Sequence, residues 1–284
     1  MKNGRDFSFG KNWQSFLEGL DDERVRIAQE SLTEFLKLDN LEGKSFLDIG
    51  CGSGLFSLAA YNLGARRVVS FDLDRLCVEC CTFLRSRAGS PEHWQVHQGS
   101  ILDDAFVSGL GTFDVVYAWG VLHHTGRMWD AIRNSTRLVG DAGYYYIALY
   151  NKILSRDGAA SWIHPFWIRI KKTYNSSPRL GRYVFEPLAM AAYLAMVTAR
   201  RQNPVKHVKE YKSHRGMNWR TDATDWLGGY PYEFATVEEV FTFVRAVAPD
   251  FNLVNLKITS GRGLNWYLFE RSEARGTGRA DGSG

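Results

Sequence analysis

No stretch of this chain stays apolar for long enough to span a membrane. The longest candidate, Tyr183 to Ala199, is interrupted by Glu186 and Pro187, whereas a spanning helix needs roughly 20 mostly apolar residues. The opening residues, Met1 to Lys11, are polar and lack the apolar segment of a secretory signal. Cysteine is scarce: Cys51, Cys77, Cys80 and Cys81, three of them crowded into one predicted helix. None is matched by further Cys or His at zinc-ligand spacing. Acidic residues near the predicted strand ends form no ligand cluster, so metal-dependent chemistry is not expected. Together these absences predict a cytoplasmic protein with reduced thiols.

What is present suits a globular core. Hydrophobic residues make up 45% of the 284 positions, enough for one large domain or for a domain with a substantial insertion. The net charge of +4 conceals a segregation. Residues 151–220 hold 14 Lys+Arg and 3 Asp+Glu, a net +11, which leaves −7 on the remainder. Such a basic segment is either an ordinary solvated surface or a place where something anionic docks.

Hydrophobic patterning divides the chain into five parts. Residues 1–44 read as an N-terminal helical cap, with Phe7, Phe9, Trp13, Phe16 and Leu17 in a polar lead-in. Asp21 or Asp22 then caps a helix to about Leu38. Residues 45–150 alternate short apolar strands with helices. The strands are expected at Ser45–Gly50, Arg67–Asp72, Trp94–Gln98, Phe113–Ala118 and Tyr144–Tyr150, the helices at Ser53–Leu63, Asp74–Arg87 and Met128–Leu138. Near-continuous apolar strands between helices predict a parallel sheet covered on both faces. Residues 151–235 break the alternation as a basic, aromatic, helical insertion. Residues 236–270 resume it, with a capping box at Thr236-Val-Glu-Glu239, a helix to about Val247, and strands at Phe251–Ile258 and Asn265–Glu270. Residues 271–284 are Gly/Ser/Arg-rich and are expected to be a disordered tail.

The chemistry concentrates after the strands. Phe46-Leu-Asp-Ile-Gly50-Cys-Gly52-Ser-Gly54 follows a strand and opens a helix. Glycines at alternate positions let the backbone turn sharply and let a ligand approach it. The helix start behind them offers N–H groups to an anion. The spacing is not that of a dinucleotide fingerprint, because Leu55 or Ser57 stands where the last Gly or Ala would be needed. Asp72 ends the second strand, placed to accept both hydroxyls of a ribose. Gly99-Ser-Ile-Leu-Asp103 follows the third strand and can border an adenine edge. Phe113 to His124 covers the fourth strand and its outgoing loop.

These blocks resemble the class I S-adenosylmethionine-dependent methyltransferases, especially the ubiquinone-biosynthesis-like, small-molecule branch with Val-Leu-His-His after strand four. The resemblance spans about a hundred residues, 45–150. It implies a doubly wound, Rossmann-like α/β fold whose mostly parallel seven-stranded sheet carries a helical insertion after strand five. It also implies S-adenosylmethionine as methyl donor and S-adenosylhomocysteine as product. Gly50, Gly52 and Gly54 would surround the amino-acid part of the donor, Asp72 its ribose, and Ser100 and Ile101 its adenine. Asp48, Cys51, Leu73 and Trp119, on the same loops, complete the expected cofactor contacts. Phe7 to Trp13 and Asp225 to Tyr232 resemble segments of a bacterial subgroup associated with glycans and natural products.

Methyl transfer is an in-line displacement, so positioning dominates, and a base matters only for an acceptor that enters protonated. His123, His124 and Asp225 are the candidate bases, although either histidine could equally pack the loop or orient the acceptor. Substrate contacts are expected from His214, Arg215, Trp219, Trp226 and Tyr230. In the insertion, Trp162, Phe166, Trp167, Trp219, Trp226, Tyr230 and Tyr232 are candidates to exclude water. Lys171, Lys172, Arg200, Arg201, Lys206 and Arg215 are candidates to attract a phosphate or carboxylate. The expected acceptor is therefore small and anionic, methylated on oxygen or nitrogen. Alternatives are an RNA acceptor, disfavoured by the absence of an Asn/Asp-Pro-Pro-aromatic block, and a lipid-borne acceptor reached through membrane contact by residues 181–201. A non-catalytic cofactor-binding module and a nicotinamide-dependent oxidoreductase are weaker rivals.

Overall fold

The computed structural model describes residues 9–155, 161–211, 219–259, 261 and 263–273. The chain starts with two helices, α1 (Phe9–Leu17) and α2 (Asp22–Leu36). The sheet and its crossovers follow as β1 (Ser45–Ile49), α3 (Leu55–Asn62), β2 (Arg67–Asp72), α4 (Arg75–Arg87), β3 (Trp94–Gln98), α5 (Asp104–Leu110), β4 (Phe113–Trp119), α6 (Met128–Thr136) and β5 (Val139–Tyr150). Five helical pieces come next: α7 (Ile163–Ser176), α8 (Pro178–Leu180) running through a π turn at Gly181–Phe185 into α9 (Glu186–Ala199), α10 (Pro204–Glu210) and α11 (Trp219–Gly228). Then α12 (Val237–Val247), β6 (Phe251–Lys257) and β7 (Leu264–Arg271) close the fold.

Among the described residues the strands form one seven-stranded sheet in the order β3-β2-β1-β4-β5-β7-β6, with β7 alone running against the others. Side chains alternate across it, as the pleat requires. Leu47, Ile49, Val116 and Ala118 face α5, α6 and α12 through Val107, Ile132 and Val244. Phe46, Val115 and Tyr117 face α2, α3 and α4 through Leu32, Ala60 and Leu84. All five residues of β1 are buried, which explains its unbroken apolar run.

Local signals fix several boundaries. Asp21 caps α2 by accepting from the Arg24 amide at 2.8 Å. Thr236 and Glu239 exchange the two bonds of a capping box at 3.0 and 2.9 Å. The doubly wound, mostly parallel seven-stranded architecture is the expected one. Three expectations need correction. Gly54 takes a left-handed φ of 83° and stands outside α3, so the helix begins at Leu55 rather than Ser53. The last parallel strand, β5, starts at Val139, five residues before Tyr144, because Val139 already pairs with Phe113 across an irregularity. Helix α5 was not expected; Asp103 caps it by accepting from Ala105 and Phe106. Of the Gly/Ser-rich tail, residues 274–284 lie outside the described residues.

The strand order reverses direction between β1 and β4, and a crevice opens there beyond the carboxyl ends of the strands. No helix among the described residues is long and apolar enough to cross a membrane.

Candidate functional site

A cavity of about 1050 Å³ fills this crevice and continues under helices α9 and α11. At one end it is lined by Asp48, Gly50, Cys51, Gly52, Asp72, Leu73, Ser100, Ile101 and Trp119. At the other it is lined by His123, His124, Tyr150, Asp225, Trp226 and Tyr230, with Trp219 and Asp222 beside them.

The glycine loop is built by exclusion. A Cβ on Gly50 would sit 2.4 Å from Val121 Cγ1, and one on Gly54 would sit 2.8 Å from the Cys81 Cα. Both residues also hold positive φ. Gly54 thus faces Cys81 rather than the cavity, and its role is to let α3 pack on α4. Gly52 turns towards Trp13 of α1, whose indole nitrogen would lie 3.0 Å from a Cβ there. The amide of Gly10 reaches Asp74 Oδ2 at 3.4 Å, so α1 lies across this half of the crevice.

Asp72 is oriented by two backbone donors. The Gly52 amide donates to Oδ2 at 3.1 Å and the Asp74 amide to Oδ1 at 2.8 Å. A carboxylate oxygen has more than one acceptor direction, so the group can still take the hydroxyls of a ribose. Asp48 ends a buried chain: Trp94 Nε1 donates to Ser70 Oγ at 3.0 Å, Ser70 to Ser57 at 2.7 Å, and Ser57 to Asp48 Oδ2 at 2.6 Å. This holds an acid under the glycine loop, where an ammonium would find it. In the loop after β3, Ser100 Oγ accepts from the Leu102 amide at 3.1 Å and Asn134 donates to the Ile101 carbonyl at 2.9 Å. These features fit an amino-acid-bearing nucleoside cofactor: an acid for its ammonium, another for its ribose, and a turn only glycine tolerates.

His123 and His124 sit on a short 3₁₀ turn after β4. Their ring centroids are 4.3 Å apart, and the His123 ring is 4.2 Å from that of Tyr150. His123 is fully buried, and neither of its ring nitrogens has a hydrogen-bond partner among the described residues. His124 Nδ1 lies 2.6 Å from the Pro231 carbonyl oxygen. Burial lowers both imidazoles, His123 well below its usual value and His124 to about 3, with the charge of Lys171 acting in the same direction on both.

Lys171 overturns one expectation. It does not reach out for an anion but is fully buried. Its ammonium donates to the Trp226 carbonyl and lies 5.1 Å from the Trp226 ring centroid and 4.8 Å from that of Tyr232. Burial brings it down to about 7, against the opposing charge of Asp225. Of the other expected cations, Arg200 lines the cavity, whereas Lys172, Arg201 and Lys206 are exposed away from its lining. Asp222 and Asp225, three apart and so on one face of α11, also line it. Trp167, Trp219, Trp226 and Tyr230 do wall the cavity, but Trp162 and Phe166 are exposed, 74% and 47%, and cannot. Tyr232 is buried behind the wall. His214 and Arg215 lie outside the described residues.

Trp13, Tyr150, Tyr193, Tyr211 and Asp222 line the site without having been expected there. Only Asp222 had a readable signal, its helical spacing from Asp225. No group of three or more potential metal ligands occurs among the described residues.

Comparison with known proteins bears on the family and the fold. Residues 20–179 match a family model described as a methyltransferase domain. A ribosomal protein L11 methyltransferase from Thermotoga maritima is 51% identical over 45 residues, covering 16% of this chain and 17% of that protein. The chain therefore spans less than a fifth of that curated relative. An O-methyltransferase family protein from Burkholderia thailandensis superposes with a TM-score of 0.53 at 12% identity, over 89% of this chain and 58% of the other. Magnesium protoporphyrin IX methyltransferase from Synechocystis PCC 6803, solved with bound S-adenosylhomocysteine, gives 0.51 at 14% identity over 89% of each chain.

Proposed function

Since the chain belongs to the S-adenosylmethionine-dependent methyltransferases, we propose that it moves the donor's methyl group to an oxygen, or a nitrogen, of a small acceptor held between the two histidines and helix α11. The observation that carries this reading is the His123–His124 pair, the first buried and the second half-buried, with rings 4.3 Å apart and both lining the cavity.

When bound, the cofactor supplies an electrophilic methyl on a sulfonium and leaves as S-adenosylhomocysteine. The chain's own contribution is placement. Asp72 would hold the ribose, Asp48 the ammonium, and Ser100 and Ile101 the adenine edge. His124, whose Nδ1–H donates to Pro231, turns Nε2 into an acceptor for an incoming hydroxyl and points the oxygen lone pair at the methyl. As the new bond to carbon forms, the hydroxyl proton passes to that nitrogen. The charge leaving sulfur offsets the charge arriving on imidazole, so a desolvated histidine can take the proton at that moment. A neutral amine acceptor would use the same hydrogen bond without needing it for activation.

Trp167, Trp219, Trp226 and Tyr230 exclude water and offer flat faces to a sugar or planar ring, which fits a glycan or natural-product intermediate. An anionic group on the acceptor would be received by Arg200 and repelled by Asp222 and Asp225, and this gives the bound molecule one orientation. The deciding experiment incubates purified protein with isotopically methyl-labelled donor and a whole-cell lysate, then separates metabolites, RNA and protein. A small metabolite that gains the label supports the reading; label found only in RNA or ribosomal protein sinks it.

A further inference from the structure

The segment from Leu180 to Ala199 carries two apolar stripes on one helix. Ala189, Tyr193 and Met196 recur at three- and four-residue spacing and line the cavity. Leu180, Tyr183, Val184, Pro187, Leu188, Ala191 and Ala195 recur at the same spacing on the other side, and every one is exposed. Tyr183 is 71% and Leu188 62% exposed. Within α9 only Val197 is fully buried. A helix apolar all round is normally covered all round, and a contiguous apolar patch of this kind marks a contact surface. The segment is roughly 30 Å long at 1.5 Å per residue. Its one acid, Glu186, is turned inward and accepts from the Tyr174 hydroxyl at 2.7 Å.

Charge says what covers it. Exposed Arg179 precedes the stripe, and exposed Arg201 follows it. Neighbouring helices α7 and α10 add exposed Lys172, Lys206 and Lys209. An uncharged stripe with aromatic Tyr183 near one end and arginines at both ends has the composition of a helix lying in the plane of an anionic lipid surface. We propose that the outer stripe of α8–α9 docks this protein on anionic membranes. Because the inner stripe of the same helix roofs the cavity, docking places that roof at the lipid surface.

The test is vesicle flotation of the full chain, using phosphatidylcholine alone and phosphatidylcholine mixed with phosphatidylglycerol. The protein should float with the mixed vesicles, not with the neutral ones, and salt should release it. Leu188→Glu should cut flotation by about tenfold or more while S-adenosylmethionine titrates as in the wild type, which also shows that the variant is folded. Arg179→Glu with Arg201→Glu should weaken it at least as much, since each basic residue near such a surface contributes about fivefold. The proposal is overturned if the wild type does not float with mixed vesicles, or if Leu188→Glu floats equally well. It is also overturned if nothing floats and Leu188→Glu converts a dimer to a monomer, for the stripe then joins two copies of this chain. Flotation does not depend on methyl transfer, so a failure here leaves the enzymatic reading intact, and the reverse holds too.

Discussion

His124 Nδ1 lies 2.6 Å from the backbone carbonyl oxygen of Pro231, a residue 107 positions further along the chain. A carbonyl only accepts, so the proton sits on Nδ1 and Nε2 keeps its lone pair. For a hydroxyl acceptor, His124→Ala is expected to lower kcat by about a hundredfold or more, the usual range for a positioned acid–base group. Donor affinity, read by calorimetry, should not change.

The pH profile follows from burial. An ordinary histidine would lose activity below about 6.5. Desolvation first, and Lys171 second, hold His124 at about 3 against the Pro231 bond, so the imidazole does not change protonation state between pH 5 and 8. No histidine limb near 6.5 is expected in kcat.

Lys171 is the group that titrates near neutrality, at about 7 through burial, with Asp225 opposing. Its folded value lies below the usual lysine value of 10.5, so it is neutral above about 7 and becomes a buried cation below it. That cation disfavours charge on His123 and His124. The rate should fall as pH drops through about 7, and Lys171→Met should abolish this inflection. A profile of kcat against pH for both proteins checks it.

Asp72→Ala removes the acceptor expected for the ribose as well as the partner of the Gly52 and Asp74 amides. Charge-assisted hydrogen bonds contribute ~1.5–3 kcal/mol each. Donor affinity should drop by roughly ten- to a hundredfold, as measured by titration with S-adenosylhomocysteine.

Gly54→Ala would place a methyl 2.8 Å from the Cys81 backbone and 2.9 Å from its sulfur, at a φ of 83°. Strain and overpacking of this kind cost about 1–3 kcal/mol each. A clear fall in melting temperature is expected, with weakened donor binding because the loop it anchors must shift.

The loops after β1 and β2 and the start of α12 were legible because their signals are local. A strand that ends in Asp72, glycines at alternate positions and the Thr236–Glu239 box each depend on a few neighbouring residues. Helix α5 escaped notice because its seven residues include Gly109 and show no long apolar period. Lys171 was read as a cation for an anionic acceptor because it stands in a segment of net charge +11. What buries it, Trp226 and Tyr232, lies more than fifty residues away. Trp162 was assigned to a wall on composition alone; which side of α7 meets α11 is a tertiary fact.

The stretch that supplies the aromatic side of the cavity leaves the sheet and rejoins it at one point. Ala235 donates to the Tyr150 carbonyl at 3.0 Å and accepts from Lys152 at 2.9 Å, with Asn151 bridged to Ala235. Its two ends are therefore neighbours, as in an insertion that a host fold tolerates, while the donor half is built largely by the loops after β1 to β4. On the function proposed above, the segment should exchange like a cassette: a related scaffold that keeps its own histidine pair and methyl donor is expected to take on this protein's acceptor when given residues 151–235.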